Sequence, residues 1–279
     1  MGEKLVIANA LNLLNVTAFG IIAFTTFVLI VYSNDYIEYF EFYDQTKTFL
    51  HPAKACFYLG WISIFLSQCC FVYAQLTPKY RNSAVVQYGI QHFYFLASLL
   101  CLMQVRSSSK VMHLGIEFML AVTLFLLLKC QNITLKLISS KENNGYLSFF
   151  DLLLLRTPFG IHFGWSLMRF SIEVSNYLDF QKFSNKEQFD YSMVLLFFNT
   201  LCSIILIWNK YPVYSTAGFI AYSMIAFAAG DMPDDPHAKT FKIIAGFLAV
   251  FNASLIPARY YAHVSGRFED KNKKQGQKD

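Results

Sequence analysis

The stretch that decides the fold is Thr157-Pro158-Phe159-Gly160-Ile161-His162-Phe163-Gly164-Trp165-Ser166-Leu167-Met168-Arg169-Phe170-Ser171-Ile172-Glu173-Val174-Ser175-Asn176-Tyr177-Leu178. With the leucines that precede it, it is long enough to cross a bilayer, for which about 20 mostly apolar residues suffice. Yet His162, Ser166, Arg169, Glu173 and Asn176 fall at i, i+4, i+7, i+11 and i+14, so they share one helical face. Arginine and glutamate at mid-membrane cost several kcal/mol each unless paired or hydrated. The stripe is therefore expected to face protein or an internal cavity, away from lipid.

The surrounding chain supports a membrane setting. Of its 279 residues 55% are hydrophobic, 18% aromatic and only 15% charged, and the mean hydropathy is +0.38. Soluble domains carry about 25% charged residues. Several separate windows reach spanning length, so the expected class is an all-α, polytopic transmembrane helical bundle in a single domain, residues 1–265, followed by a polar basic tail, residues 266–279. Eight spans are read at about 5–32, 52–76, 84–104, 111–130, 152–178, 190–209, 212–230 and 240–264. The split between the last-but-one pair rests on the polar turn Asn209-Lys210-Tyr211-Pro212. The longest loops are expected at Ser33–His51, Gln131–Asp151 and Asp179–Phe189, the first acidic and aromatic through Asp35–Asp44.

Charge distribution orients the bundle. The net charge of +5 is spread over loops and tail, which gives no nucleic-acid face. Lys79, Arg81, Lys129, Lys136, Lys210, Arg267 and the tail lysines fall on the side that carries both termini. The positive-inside rule then puts that side in the cytoplasm or, in a mitochondrion, the matrix. The six cysteines lie in or beside spans without a CxxC pair, as reduced packing residues do. A cleaved signal or Arg-rich presequence is not expected.

Several constellations have chemical content. Pro158 suits the first turn of a helix, and Gly160 with Gly164 makes a GxxxG pair that admits a close neighbour. Trp165 adds a flat surface with one donor, so this unit is either a tight helix seam or the wall of a cavity for a flat or lipid-like ligand. Arg169 and Glu173 are spaced to pair on one helix. Asn9, Asn12 and Asn15 on span one, and Gln87, Gln91, Tyr94, Ser98 and Cys101 on span three, make further polar stripes suited to a shared interior. His113 and Glu117 form an i, i+4 pair on span four, and Asp231, Asp234, Asp235 and His237 gather in a proline-stiffened loop. Neither makes a convincing metal set. With no P-loop, GxSxG elbow or dinucleotide fingerprint, the expectation is a protein that is not an enzyme and carries no cofactor or metal.

At Pro158-Phe159-x-Ile161-x-x-Gly164-Trp165 the chain resembles the tryptophan-rich sensory protein/translocator (TspO/MBR) family, in its longer eight-span branch. Pro52-Ala53-x-x-x-Phe57, Trp61 and Tyr73-Ala74-Gln75 on span two, and the turn before span seven, look similar as well. Only Trp61, Trp165 and Trp208 remain of the family's tryptophans, span seven has Tyr222 at a tryptophan position, and Glu173 replaces an asparagine. The resemblance implies that the first five spans form a TspO-like unit, in a group associated with porphyrin, sterol or lipid ligands. On it, the candidate ligand-binding residues are Pro158, Phe159, His162, Trp165, Arg169, Glu173 and Trp61, and the expected partners are membrane lipids and a hydrophobic small molecule. The alternative is a structural accessory subunit of a larger membrane complex, such as a respiratory assembly of the mitochondrial inner membrane, in which the polar stripe serves packing.

Overall fold

A chain in hydrocarbon must satisfy every backbone N–H and C=O internally, which an α-helix does within one segment. The computed structural model describes residues 10–21, 23–24, 48–81, 83–90, 92–107, 109–141, 149–209 and 211–275, and among these it is helical with no strand. The helices are α1 (Ala10–Ile21), α2 (Lys54–Leu76), α3 (Pro78–Arg81), a π-helical segment (Val85–Ile90), α4 (Phe93–Arg106), α5 (Lys110–Lys141), α6 (Phe149–Leu155), α7 (Thr157–Phe180), α8 (Asn185–Ile207), α9 (Tyr214–Ala228) and α10 (His237–Gln275). Among the described residues a helix overlaps each expected span, the first only over Ala10–Ile21. Four stretches, Ala55–Leu76, Lys110–Ile138, Asn185–Ile207 and His237–Ala262, are long and apolar enough to cross a membrane by themselves. The expected Asn9, Gln91 and the loop Asp35–Asp44 lie outside the described residues.

α7 is the axis of the bundle. It packs against α2, α5, α6, α8 and α9, while α9 also packs on α8 and α10, and α5 on α4 and the π-helical segment. This position explains its composition. Surrounded by protein on nearly all sides, α7 tolerates the polar stripe, whereas the peripheral helices show apolar faces. Val194, Phe197 and Leu201 on α8, Phe247 and Val250 on α10, and Leu66 and Tyr73 on α2 are exposed at helical spacing, as lipid contact requires.

The structure corrects several boundaries. Span five, read as continuous from 152, is broken at Arg156: α6 ends at Leu155 and α7 starts at Thr157. Pro158 is the cause. In a continuous helix its ring would press on the carbonyl four residues back, but in the first turn its missing N–H is harmless. Span three is likewise divided between the π-helical segment and α4. The loop expected from Gln131 is helical as far as Lys141. The loop from Asp179 closes early, because Ser184 and Glu187 form a capping box: the Ser184 N–H donates to Glu187 Oε2 at 2.9 Å, and the Glu187 N–H donates to Ser184 Oγ at 3.4 Å. α10 continues through Pro257 to Gln275, so the backbone of the expected tail is helical over most of its length.

Polar contacts tie the helix ends. Arg259 on α10 donates through Nε to the Ile207 carbonyl and through Nη2 to that of Asn209, both at 3.2 Å, satisfying oxygens left open where α8 stops. The Ala53 N–H donates to the Ala226 carbonyl at 2.9 Å, docking the start of α2 on the end of α9. At the opposite end of α2, Lys79 meets Asp151 at 2.9 Å; the hydrogen bond to that carboxylate holds the Lys79 ammonium above its ordinary value.

Candidate functional site

The GxxxG unit is a seam, and its partner is α9. A Cβ on Gly164 would come within 3.0 Å of Phe219 Cβ, and one on Gly160 within 2.8 Å of Val213 Cγ1 and closer still to Ser215 Oγ. The Thr216 hydroxyl uses the same closeness to donate to the Gly160 carbonyl at 3.0 Å. On its next face α7 presents Trp165 to α2. The indole lies over Gly60, where a Cβ would overlap it, and its ring is 5.1 Å from Phe57, 5.2 Å from Trp61 and 5.9 Å from Phe219. The two Gly-Trp pairs, Gly60-Trp61 and Gly164-Trp165, therefore pack on each other, and Trp165 is 2% exposed.

The polar stripe is buried over its whole length: His162, Ser166, Arg169, Glu173 and Asn176 all lie in the interior. Arg169 and Glu173 meet at 3.5 Å, as their spacing led one to expect. The shorter ion pair comes from elsewhere. Arg169 Nε lies 3.1 Å from Oε1 of Glu117 on α5, and the guanidinium sits 5.9 Å from the ring centroids of both Phe57 and Trp61. Glu117 is further fixed by the Gln104 amide, which donates to Oε1, and by Ser166, whose hydroxyl donates to Oε2 at 3.4 Å. Helices α4, α5 and α7 thus meet in one charged network. The sequence reading paired Glu117 with His113, but the structure turns His113 Nε2 to the Ser107 carbonyl at 2.8 Å. The missed signal was that Glu117 is the one carboxylate within span four, and so needed a partner.

The other candidates are also core residues. Phe159 packs edge-on against Phe71 and Tyr94, at 4.7 and 5.6 Å, and Pro158 is buried in the first turn. His162 sits between Gln68 Nε2 at 3.3 Å and Cys101 Sγ at 3.6 Å. Trp61 is half-buried and stacks on Phe65. In the acidic loop, Asp235 accepts the His237 N–H at 2.8 Å and so caps α10, while the His237 ring stacks on Phe189. Among the described residues no cluster of His, Cys, Asp and Glu has metal-binding geometry.

An open groove of about 350 Å³ lies beside these residues, between α2, α7 and α9. It is lined by Ser63, Thr157, Ile161, Ser215, Gly218, Phe219 and Tyr222. None of the seven residues expected from sequence lines it; Thr157 and Ile161 belong to the adjoining face of the same helix. The Tyr222 hydroxyl donates to the Cys56 carbonyl and forms one end of the groove. It stands where the resemblance expects tryptophan, and that substitution was the one sequence sign of this wall.

Four helices long and apolar enough to cross a membrane, packed in a bundle around a buried polar helix, define a helical integral membrane protein. The family model described as TSPO-like protein matches residues 12–256, and the chain belongs to that family. No curated protein and no solved structure matches it.

Proposed function

We propose that this protein is a non-catalytic membrane protein that holds a lipid-like small molecule in the groove between α2, α7 and α9. The observation that carries the reading is the groove itself. Its volume is at the lower end of small-molecule sites, its walls are mostly apolar, and the hydroxyl oxygens of Ser63 and Tyr222, whose hydrogens go to the Leu59 and Cys56 carbonyls, can still accept from a sterol hydroxyl. It opens on the side where exposed Ser63 and Ile62 meet lipid, so a ligand would enter from the bilayer. The family's association with sterol, lipid and porphyrin ligands agrees with the first two better than with a broad tetrapyrrole, because the interior beside Trp165 is occupied by side chains. The spread of basic residues supports placing both termini on the cytoplasmic or matrix side.

The experiment is photolabelling of the protein in bilayers with a photoreactive sterol and a photoreactive fatty-acyl probe. One of them should label peptides containing Thr157–Ile161 or Ser215–Tyr222, and Ser63→Trp, which fills the groove from its exposed edge, should abolish that labelling. Labelling unchanged by Ser63→Trp would overturn the assignment. The packing of Trp165 favours a second reading, the accessory subunit of a larger complex. Native gels in mild detergent would then show the protein in a particle far larger than itself, and migration as a monomer or dimer would reject it.

A further inference from the structure

Arg156, at the break between α6 and α7, is a cation buried without a counter-ion. It is 3% exposed. Its Nη2 donates to Asn132 Oδ1 at 2.6 Å and to the Tyr211 carbonyl at 3.0 Å, and both acceptors are neutral. Arg156 Nε is buried with no acceptor, and so is Nδ2 of Asn132. Among the described residues no Asp or Glu forms an ion pair with Arg156. A charge kept from water with no opposite partner is strongly destabilising unless something offsets it, and an unmade hydrogen bond on a charged group adds to that loss.

The surroundings add positive potential. Arg156 is the N-cap of α7, a helix of 24 residues, and its bond to Tyr211 brings it to the turn from which α9 starts at Tyr214. Both helices direct the positive ends of their dipoles here. On α5, Lys129 and Lys136 flank Asn132 at helical spacing and share its face; both lysines are exposed, and Asn132 is partly so. The negative groups of this region are already engaged. Arg259 covers the carbonyls at the end of α8, Gln131 Nε2 donates to the Leu155 carbonyl at 2.8 Å, and the Asp151 carboxylate meets Lys79. Gln131 Oε1 has no donor, but it is neutral and does not offset the charge.

We propose that Arg156 and Asn132, bordered by Lys129 and Lys136, form an anion site whose ligand is a phosphate group. Phosphate brings negative charge and several acceptor oxygens, which suits a guanidinium N–H, an amide N–H and two ammonium groups. A helix N-terminus favours the same group. Asn132 lies just beyond the span read at 111–130, so the site is level with lipid headgroups. Its phosphate comes from an anionic phospholipid or from free phosphate in the adjoining water. Bound there, the anion neutralises Arg156 and fastens α5 to the start of α7 and to the turn before α9.

The test is the thermal midpoint of the full-length protein, purified in a non-ionic detergent and stripped of lipid. It is measured with inorganic phosphate, with dioleoyl phosphatidylglycerol, and with dioleoylglycerol, which lacks the phosphate. A ligand of the folded state raises the midpoint, here by about 3 °C or more. A rise with phosphatidylglycerol but not with phosphate identifies the lipid headgroup as the source, whereas a rise with phosphate shows that the free ion suffices. No rise with either, or an equal rise with dioleoylglycerol, would overturn the proposal, and this arm needs no variant. Arg156→Gln should lose the response. If that variant does not fold, the exposed pair Lys129→Ala with Lys136→Ala decides in its place. It should raise the ligand concentration for half the effect about fivefold or more. A response unchanged in either folded variant would overturn the assignment.

Discussion

At Trp165 a large side chain fits because a small one faces it. Gly60 leaves the space that the indole occupies, and Phe57, Trp61 and Phe219 close around it. Trp165→Ala should therefore destabilise the protein by about 3–5 kcal/mol, the cost of emptying a buried aromatic site, measured by unfolding in detergent. A loss below about 1 kcal/mol would mean that the ring contributes little to packing. Tyr222 differs in kind. Its hydroxyl donates to the Cys56 carbonyl across two helices, so Tyr222→Phe should cost about 0.6 kcal/mol, the average for interhelical hydrogen bonds in a membrane bundle. The inward direction of His162, Ser166, Arg169, Glu173 and Asn176 was legible in the sequence, because helical spacing alone puts them on one face and lipid rejects that face. Glu117 was not, because its partner is 52 positions away and no spacing rule joins residues on different helices.

At the scale of the element, glycines decide how near helices come. Gly60→Ala would drive a methyl into Trp165, and Gly160→Ala would press one on Val213 and Ser215. Overpacking of this kind costs about 1–3 kcal/mol. Gly115, on α5, has nothing within 4 Å of its would-be Cβ. Gly115→Ala should be neutral or stabilising by up to about 1 kcal/mol through helix propensity. Thermal midpoints of the three variants in one detergent would check the order; equal shifts in all three would contradict the packing described. The break at Arg156 shows why some boundaries escape a sequence reading. Leu152–Leu155 continue the apolar run without interruption, and only the backbone demand of Pro158 divides it. Arg156 then becomes buried, donating to Asn132 Oδ1 at 2.6 Å and to the Tyr211 carbonyl at 3.0 Å, and so joins α5 to the turn before α9.

Across the whole molecule, the outer helices turn apolar faces outward, while α2, α5, α8 and α9 close on α7 and α10 closes on α8 and α9. Small polar links repeat this design at the periphery: Asn199 donates to Ser171 at 3.0 Å, joining α8 to α7, and Asn252 donates to Thr200 at 3.2 Å, joining α10 to α8. Such a bundle should stay with the membrane in alkaline carbonate and leave it only in detergent; release by carbonate would contradict a spanning fold. The central claim is that the polar face of α7 is closed by an ion pair from α5. A double-mutant cycle on Glu117→Gln and Arg169→Met, followed by unfolding in detergent, tests it most directly. Arg169→Met alone should cost about 3–5 kcal/mol, as breaking a buried pair does. The double variant should lose less than the sum of the single losses by at least about 1 kcal/mol. Additive losses would mean that Glu117 and Arg169 do not act on each other, and the account of α7 as a charge-closed axis would fail.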